Sequence, residues 1–130
     1  MIKPKFFYFR CDPYCTDISV FFAYAPSKVL GEIKKVIVLT KNDEDAISDS
    51  VKHCDAFCFT TGQGFTFFYF SRKLLKKHLS QLAGTVAHEA FHAASKILSS
   101  RDIPPCKQTE EAYAYLQGYI VTETMKGILQ

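Results

Sequence analysis

The chain has 130 residues, of which 48% are hydrophobic, 15% aromatic and 22% charged. That is the length of one domain, residues 1–130, with a single sizeable core, and the composition excludes a disordered or fibrous chain. A net charge of +3 is mildly basic; it admits anionic partners without arguing for nucleic acid.

Apolar runs such as Val36–Leu39 and Phe67–Phe70 fall far short of the ~18 residues that a bilayer-spanning helix needs. In the N-terminal stretch Arg10 and Asp12 interrupt the apolar run and no small-residue cleavage site follows. No membrane span and no signal peptide are expected, and the expected compartment is the cytoplasm. The five cysteines, Cys11, Cys15, Cys54, Cys58 and Cys106, are an odd number, and reduced thiols are expected. Cys11/Cys15 and Cys54/Cys58 form two Cys-x3-Cys pairs, whereas structural zinc knuckles use Cys-x2-Cys. Ordinary buried cysteines are the expectation.

The first 70 residues are rich in Phe, Tyr, Val and Ile, and the stretch from Leu74 onward in Ala, Leu, Lys and Glu. Strands followed by helices make an α+β class. Predicted strands are Lys5–Arg10, Val20–Ala25, Lys35–Leu39, Ala56–Thr60 and Phe65–Phe70. Thr61-Gly62-Gln63-Gly64 is predicted to join the last two as a hairpin loop. The acidic run from Asn42 opens a predicted short helix, Asp43 to His53. Ser71 to His78 is a basic connection whose Arg72, Lys73, Lys76 and Lys77 could touch an anion.

The stretch Ser80–Ser99 is alanine-rich and free of proline, which predicts a helix. Leu79, Ala83, Val86, Ala90, Ala94 and Ile97 form its apolar stripe. It carries His88-Glu89-Ala90-Phe91-His92, the HExxH pattern. Residues i and i+4 share a helix face, so both imidazoles can reach one metal ion. Glu89, turned by about 100°, sits beside that ion as a general base, able to move a proton from an attacking water to a leaving group. The wheel surrounds the histidines with Gln81, Gly84, Thr85, Ser95 and Ser99, a small, uncharged surface suited to a cleft floor. His53 and His78 lack such company and read as surface histidines.

Two histidines leave a catalytic zinc one protein ligand short, and no histidine follows His92. A carboxylate is expected instead, from Asp102, Glu110, Glu111 or Glu123. Pro104-Pro105 marks a loop, after which Thr109 caps a predicted second helix from Glu110 to about Lys126. On it Glu111, Tyr115, Gly118 and Thr122 share one face, with Tyr119 at its edge. Glu123 lies three turns further on, and Asp102 would need a loop folded sharply back. Glu110 points about 100° away, beside Ala114 and Val121, and suits the helix terminus or a contact behind a ligand histidine. Glu111 is the expected third ligand.

With Glu111 placed 19 residues after His92, the chain resembles the zincin metallopeptidases of the gluzincin type. Thr85–Glu89 together with Glu111–Leu116 is similar to a group of small phage-type zincin proteins. The resemblance covers roughly residues 79–122 and implies a minimal zincin-like fold: a mixed or antiparallel sheet, then an active-site helix, then a glutamate-bearing helix. It implies Zn2+ held by His88, His92 and Glu111, with Glu89 as base, and the strand before the active-site helix, here Phe65–Phe70, bordering the cleft. It also implies a host-cytoplasm setting for a phage-encoded chain. Larger gluzincins have a second domain that closes the cleft; a chain of this size has no room for one, which points to narrow specificity.

The expected function is therefore a zinc-dependent hydrolase acting on a peptide or protein substrate, with Tyr115 or Tyr119 as candidate donors to the oxyanion. The rival expectation is a metal-stabilised protein that binds a host partner without turnover. Such a binder would have no use for an acid at position 89. A third, a nucleic-acid binder using Arg72, Lys73, Lys76 and Lys77, would lose affinity steeply with salt.

Overall fold

The structure, a computed structural model, describes residues 3–130. Met1 and Ile2, which begin the stretch read above as lacking a signal peptide, lie outside the described residues. The class is α+β. Four strands, β1 (Lys5–Cys11), β2 (Thr16–Tyr24), β3 (Ala56–Thr60) and β4 (Thr66–Ser71), form one sheet in the order β1-β2-β4-β3. The β1–β2 and β3–β4 pairs are antiparallel, and β2–β4 is parallel.

Helices α1 (Pro26–Val36) and α2 (Lys41–His53) cover one face of the sheet, and α3 (Leu79–Ser99) and α4 (Glu110–Leu129) cover the other. Alternation along β4 makes two cores, one on each face, where the length predicted a single one. Phe67 and Tyr69 pack with Val29, Ile33 and Ile47 beneath α1 and α2. Phe68 and Phe70 pack with Val86, Ala90, Leu116 and Ile120 beneath α3 and α4. Every residue of β4 is buried, the pattern of a strand covered on both faces.

Two sequence expectations are corrected here. Lys35–Leu39 is not a strand. Pro26 occupies the first turn of α1, Val29 and Ile33 are buried one turn apart, and the helix runs to Val36. Ile37, the residue that ends it, is extended; the β-branched run suggested a strand where the chain leaves a helix. In addition, Phe65–Phe70 does not border the cleft, which none of its residues lines. Its strand β4 pairs with β2 on one side and β3 on the other, so the edge is β3.

The local signals otherwise act as their chemistry dictates. Thr40 and Asp43 close a reciprocal capping box at the start of α2. Gly64 takes φ +92° in the hairpin, the conformation glycine tolerates best. The basic connection forms a 3-10 turn, Arg72–Lys76, pinned by buried Leu74. Thr109 does not cap α4 with its side chain. Its hydroxyl donates to the Pro104 carbonyl at 2.6 Å and accepts the Cys106 amide at 3.0 Å, which ties the loop together instead. No helix among the described residues is long and apolar enough to cross a membrane.

Candidate metal centre

Helix α3 presents the HExxH residues as the spacing requires, with one addition. His88 and His92 are exposed, while Glu89 is 6% exposed and belongs to the buried side along with Leu82, Val86 and Ala93. Leu79, expected in the apolar stripe, is exposed instead. The two imidazoles face each other with 3.2 Å between their Nε2 atoms. Two nitrogens bound about 2.05 Å from one tetrahedral ion stand about 3.3 Å apart. The pair is therefore already spaced as two corners of a zinc tetrahedron. A carboxylate oxygen of Glu89 and one ring nitrogen from each histidine all lie within 4.8 Å of one another.

Glu89 is held against the edge strand. The hydrogen bonds Thr61 N to Phe65 O and Ser71 N to Asp55 O, both 2.8 Å, fix the phase of the β3–β4 ladder. In an antiparallel pair, bonded positions alternate. Residues 55, 57, 59 and 61 are thus bonded inward, and Ala56, Cys58 and Thr60 turn their amides and carbonyls to the free edge. Burial raises the Glu89 pKa above the ordinary carboxylate value; the charges of His88 and His92 and the amide of Cys58 oppose the rise. A glutamate with a raised pKa is better matched to taking and returning a proton near neutrality.

Beside Glu89 lies an open cleft of about 460 Å³. Its floor is the α3 surface from Gln81 through Gly84 and Thr85 to His88. Its walls are Asp55 and Ala56 at the start of β3, and Leu74 and Lys77 from the basic turn. Sequence reasoning placed neither β3 nor Lys77 here. The predicted hairpin was the available signal, because its outer strand is free to be an edge.

Glu111 occupies the first turn of α4, exposed on the same face as Tyr115, Gly118 and Thr122. It lies outside the group formed by His88, Glu89 and His92. Glu110 is likewise exposed and outside that group, Asp102 sits in the loop, and Glu123 pairs with Lys126 at 3.3 Å. The tyrosines turn elsewhere. Tyr115 and Tyr119 line a different cavity, with Pro13 and Tyr14 of the β1–β2 turn. The Tyr119 hydroxyl donates to the Arg10 carbonyl at 2.7 Å and its ring meets Phe9 edge-on. Neither tyrosine is brought to the histidines.

The cysteines form no common site. Cys11 and Cys58 lie on opposite edges of the sheet; all five are free thiols, and Cys15, Cys54 and Cys106 are exposed rather than buried as expected. Burial pushes both Cys11 and Cys58 up to about 12. His53 pairs with Asp49 at 3.5 Å in the last turn of α2, and His78 precedes α3 with its amide on Gln81 Oε1. No family model matches the chain, and no curated protein or solved structure matches it significantly.

Proposed function

We propose that the protein is a zinc-dependent hydrolase, a peptidase of narrow specificity, with His88 and His92 as metal ligands, Glu111 as the third and Glu89 as general base. The observation that carries this reading is the facing Nε2 pair at 3.2 Å with a buried carboxylate beside it. A metal-stabilised binder needs the pair but gains nothing from a buried acid at position 89.

Zinc bound there would supply a Lewis acid and a water of lowered pKa. The chain's own part is positional. The two imidazoles, carried one helical turn apart on α3, arrive without reorganisation. Glu89 holds the proton of the attacking water, kept in place between α3 and the edge of β3, and delivers it to the leaving nitrogen. The free amides and carbonyls of β3 are the strand against which an extended peptide would align.

The test is elemental and kinetic. Purified protein should carry about one zinc per chain. Glu89→Gln should keep the metal and lose hydrolysis, because glutamine preserves shape and lacks a basic oxygen. His88→Ala and His92→Ala should lose the metal. Absence of zinc uptake when zinc is supplied overturns the reading. Full biological effect in Glu89→Gln would make the protein a binder.

A further inference from the structure

Resting on that zinc-site reading, we propose that the cleft selects substrates with a carboxylate three or more residues from the bond to be cut, and that Lys77 is the group that holds it.

The cleft has a chemical direction. One end is His88 and Glu89; the other is Lys77, with Gln81 and Thr85 between them along α3. From Gln81 to His88 the helix rises about 10 Å. An extended peptide covers that distance in about three residues, and because Lys77 stands beyond Gln81 three is the shortest spacing that reaches it. The lining between the two ends is uncharged on the α3 side, so the one cation at the far end is the feature that distinguishes one substrate from another.

That cation sits on an anchored backbone and is unspent. The Lys77 amide donates to the Leu74 carbonyl at 3.1 Å, and Leu74 is buried. The backbone that carries the ammonium is thereby anchored to the core. Arg72, Lys73, Lys76 and Lys77 come from one short turn, and none of them makes an ion pair among the described residues. Four unpaired cations beside a cleft raise the local concentration of anions. Asp55 on the opposite wall is the opposing charge, and it too is unpaired with Lys77. One exposed carboxylate does not cancel four cations. Zinc would add to their field.

The test uses the full chain loaded with zinc and two probes, suberic acid monohydroxamate and its methyl ester. The hydroxamate claims the metal, and the aliphatic arm spans the cleft. Calorimetry should show the free acid binding about fivefold tighter than the ester at low salt, the range of an exposed ion pair. The gap should shrink near 0.5 M salt, roughly, where the Debye length is only a few ångströms. Lys77→Gln should abolish the preference, and Lys28→Gln, an exposed cation on α1, should retain it. Equal binding of the two probes by the wild type, or a preference that survives Lys77→Gln, overturns the inference while leaving the zinc site standing. Bound zinc with neither probe binding also overturns it. Failure to take up zinc at all defeats the underlying reading first, and this inference with it.

Discussion

Gln117 donates from Nε2 to the carbonyl of Ala87 at 3.2 Å, and this bond sets the register of α4 against the helix that carries the histidines. The helices run antiparallel, with Tyr113 nearer the α3 C-terminus through its hydroxyl on the Ile103 carbonyl at 2.7 Å. Six residues before Gln117, about 9 Å along the axis, stands Glu111. It is therefore level with Ala93, the neighbour of His92. His92 and Glu111 are both exposed.

The first prediction combines that level with the proposed ligand set. Glu111→Gln should weaken zinc binding by about a hundredfold, at least the effect of disturbing an outer-sphere partner. Glu110→Gln should stay close to wild type. Competition against a chelator series measures both. Loss of metal in Glu110→Gln with wild-type affinity in Glu111→Gln would reverse the assignment.

The HExxH helix was legible because its signal is local: two histidines four apart, no proline, and alanine in abundance. What surrounds it was not. Thr-Phe-Phe-Tyr-Phe in β4 and Ala-Phe-Cys-Phe-Thr in β3 both read as strands, and only pairing decides which one is central. β2, distant in sequence, takes β4 as its parallel partner, and that long-range choice leaves β3 at the edge. The burial of Glu89 was hidden for the same reason. On a wheel it is one more polar residue; in the fold, the strand that shields it comes from 31 residues upstream at Cys58.

A second prediction concerns acid. The backbone amide of Thr40 holds the Asp43 carboxyl below the usual aspartate range, helped by the amide of Gly62 and the Thr40 hydroxyl. The Gly62 amide donates to it at 3.1 Å and ties α2 to the hairpin. A depressed pKa contributes stability that is present above the unfolded value, near 3.9, and is lost as pH falls through the folded value. Asp43→Asn should therefore lower stability at neutral pH. Its difference from wild type should narrow below about pH 4. Denaturant titrations at a series of pH values measure the gap. A gap that widens on acidification would show that Asp43 is not the group responsible.

Two glycines on α4 should respond to alanine with opposite signs. Gly118 is exposed with nothing near the position of an added Cβ, whereas a Cβ at Gly127 would overlap the Phe7 ring. Gly118→Ala should stabilise by about 0.5–1 kcal/mol through helix propensity. Gly127→Ala gains the same propensity but must displace a ring packed on the core, and overpacking costs about 1–3 kcal/mol. Its net effect should be a loss of about 1 kcal/mol. Thermal unfolding of the two variants provides the comparison, and equal shifts would mean that Phe7 yields freely.

The last prediction asks whether β3 is the strand against which substrate aligns. Proline removes an amide donor, so it is tolerated in a sheet only where that donor faces outward on an edge. By the phase of the ladder, Ala56 faces outward and Phe57 bonds to Tyr69. Ala56 is the first residue of β3, a position at which a strand tolerates proline. Ala56→Pro should then fold, with far-ultraviolet dichroism like wild type and bound zinc retained, yet bind extended peptides poorly because one edge donor is gone. Phe57→Pro should break a ladder bond in a buried position and unfold the β3–β4 hairpin, losing the shield over Glu89. The Cys58 amide is already turned to Glu89, so Ala56 and Thr60 are the positions left for a substrate backbone. Wild-type peptide affinity in a folded, zinc-loaded Ala56→Pro would remove β3 from substrate binding. Unfolding of Ala56→Pro with a folded Phe57→Pro would show that the ladder has the opposite phase.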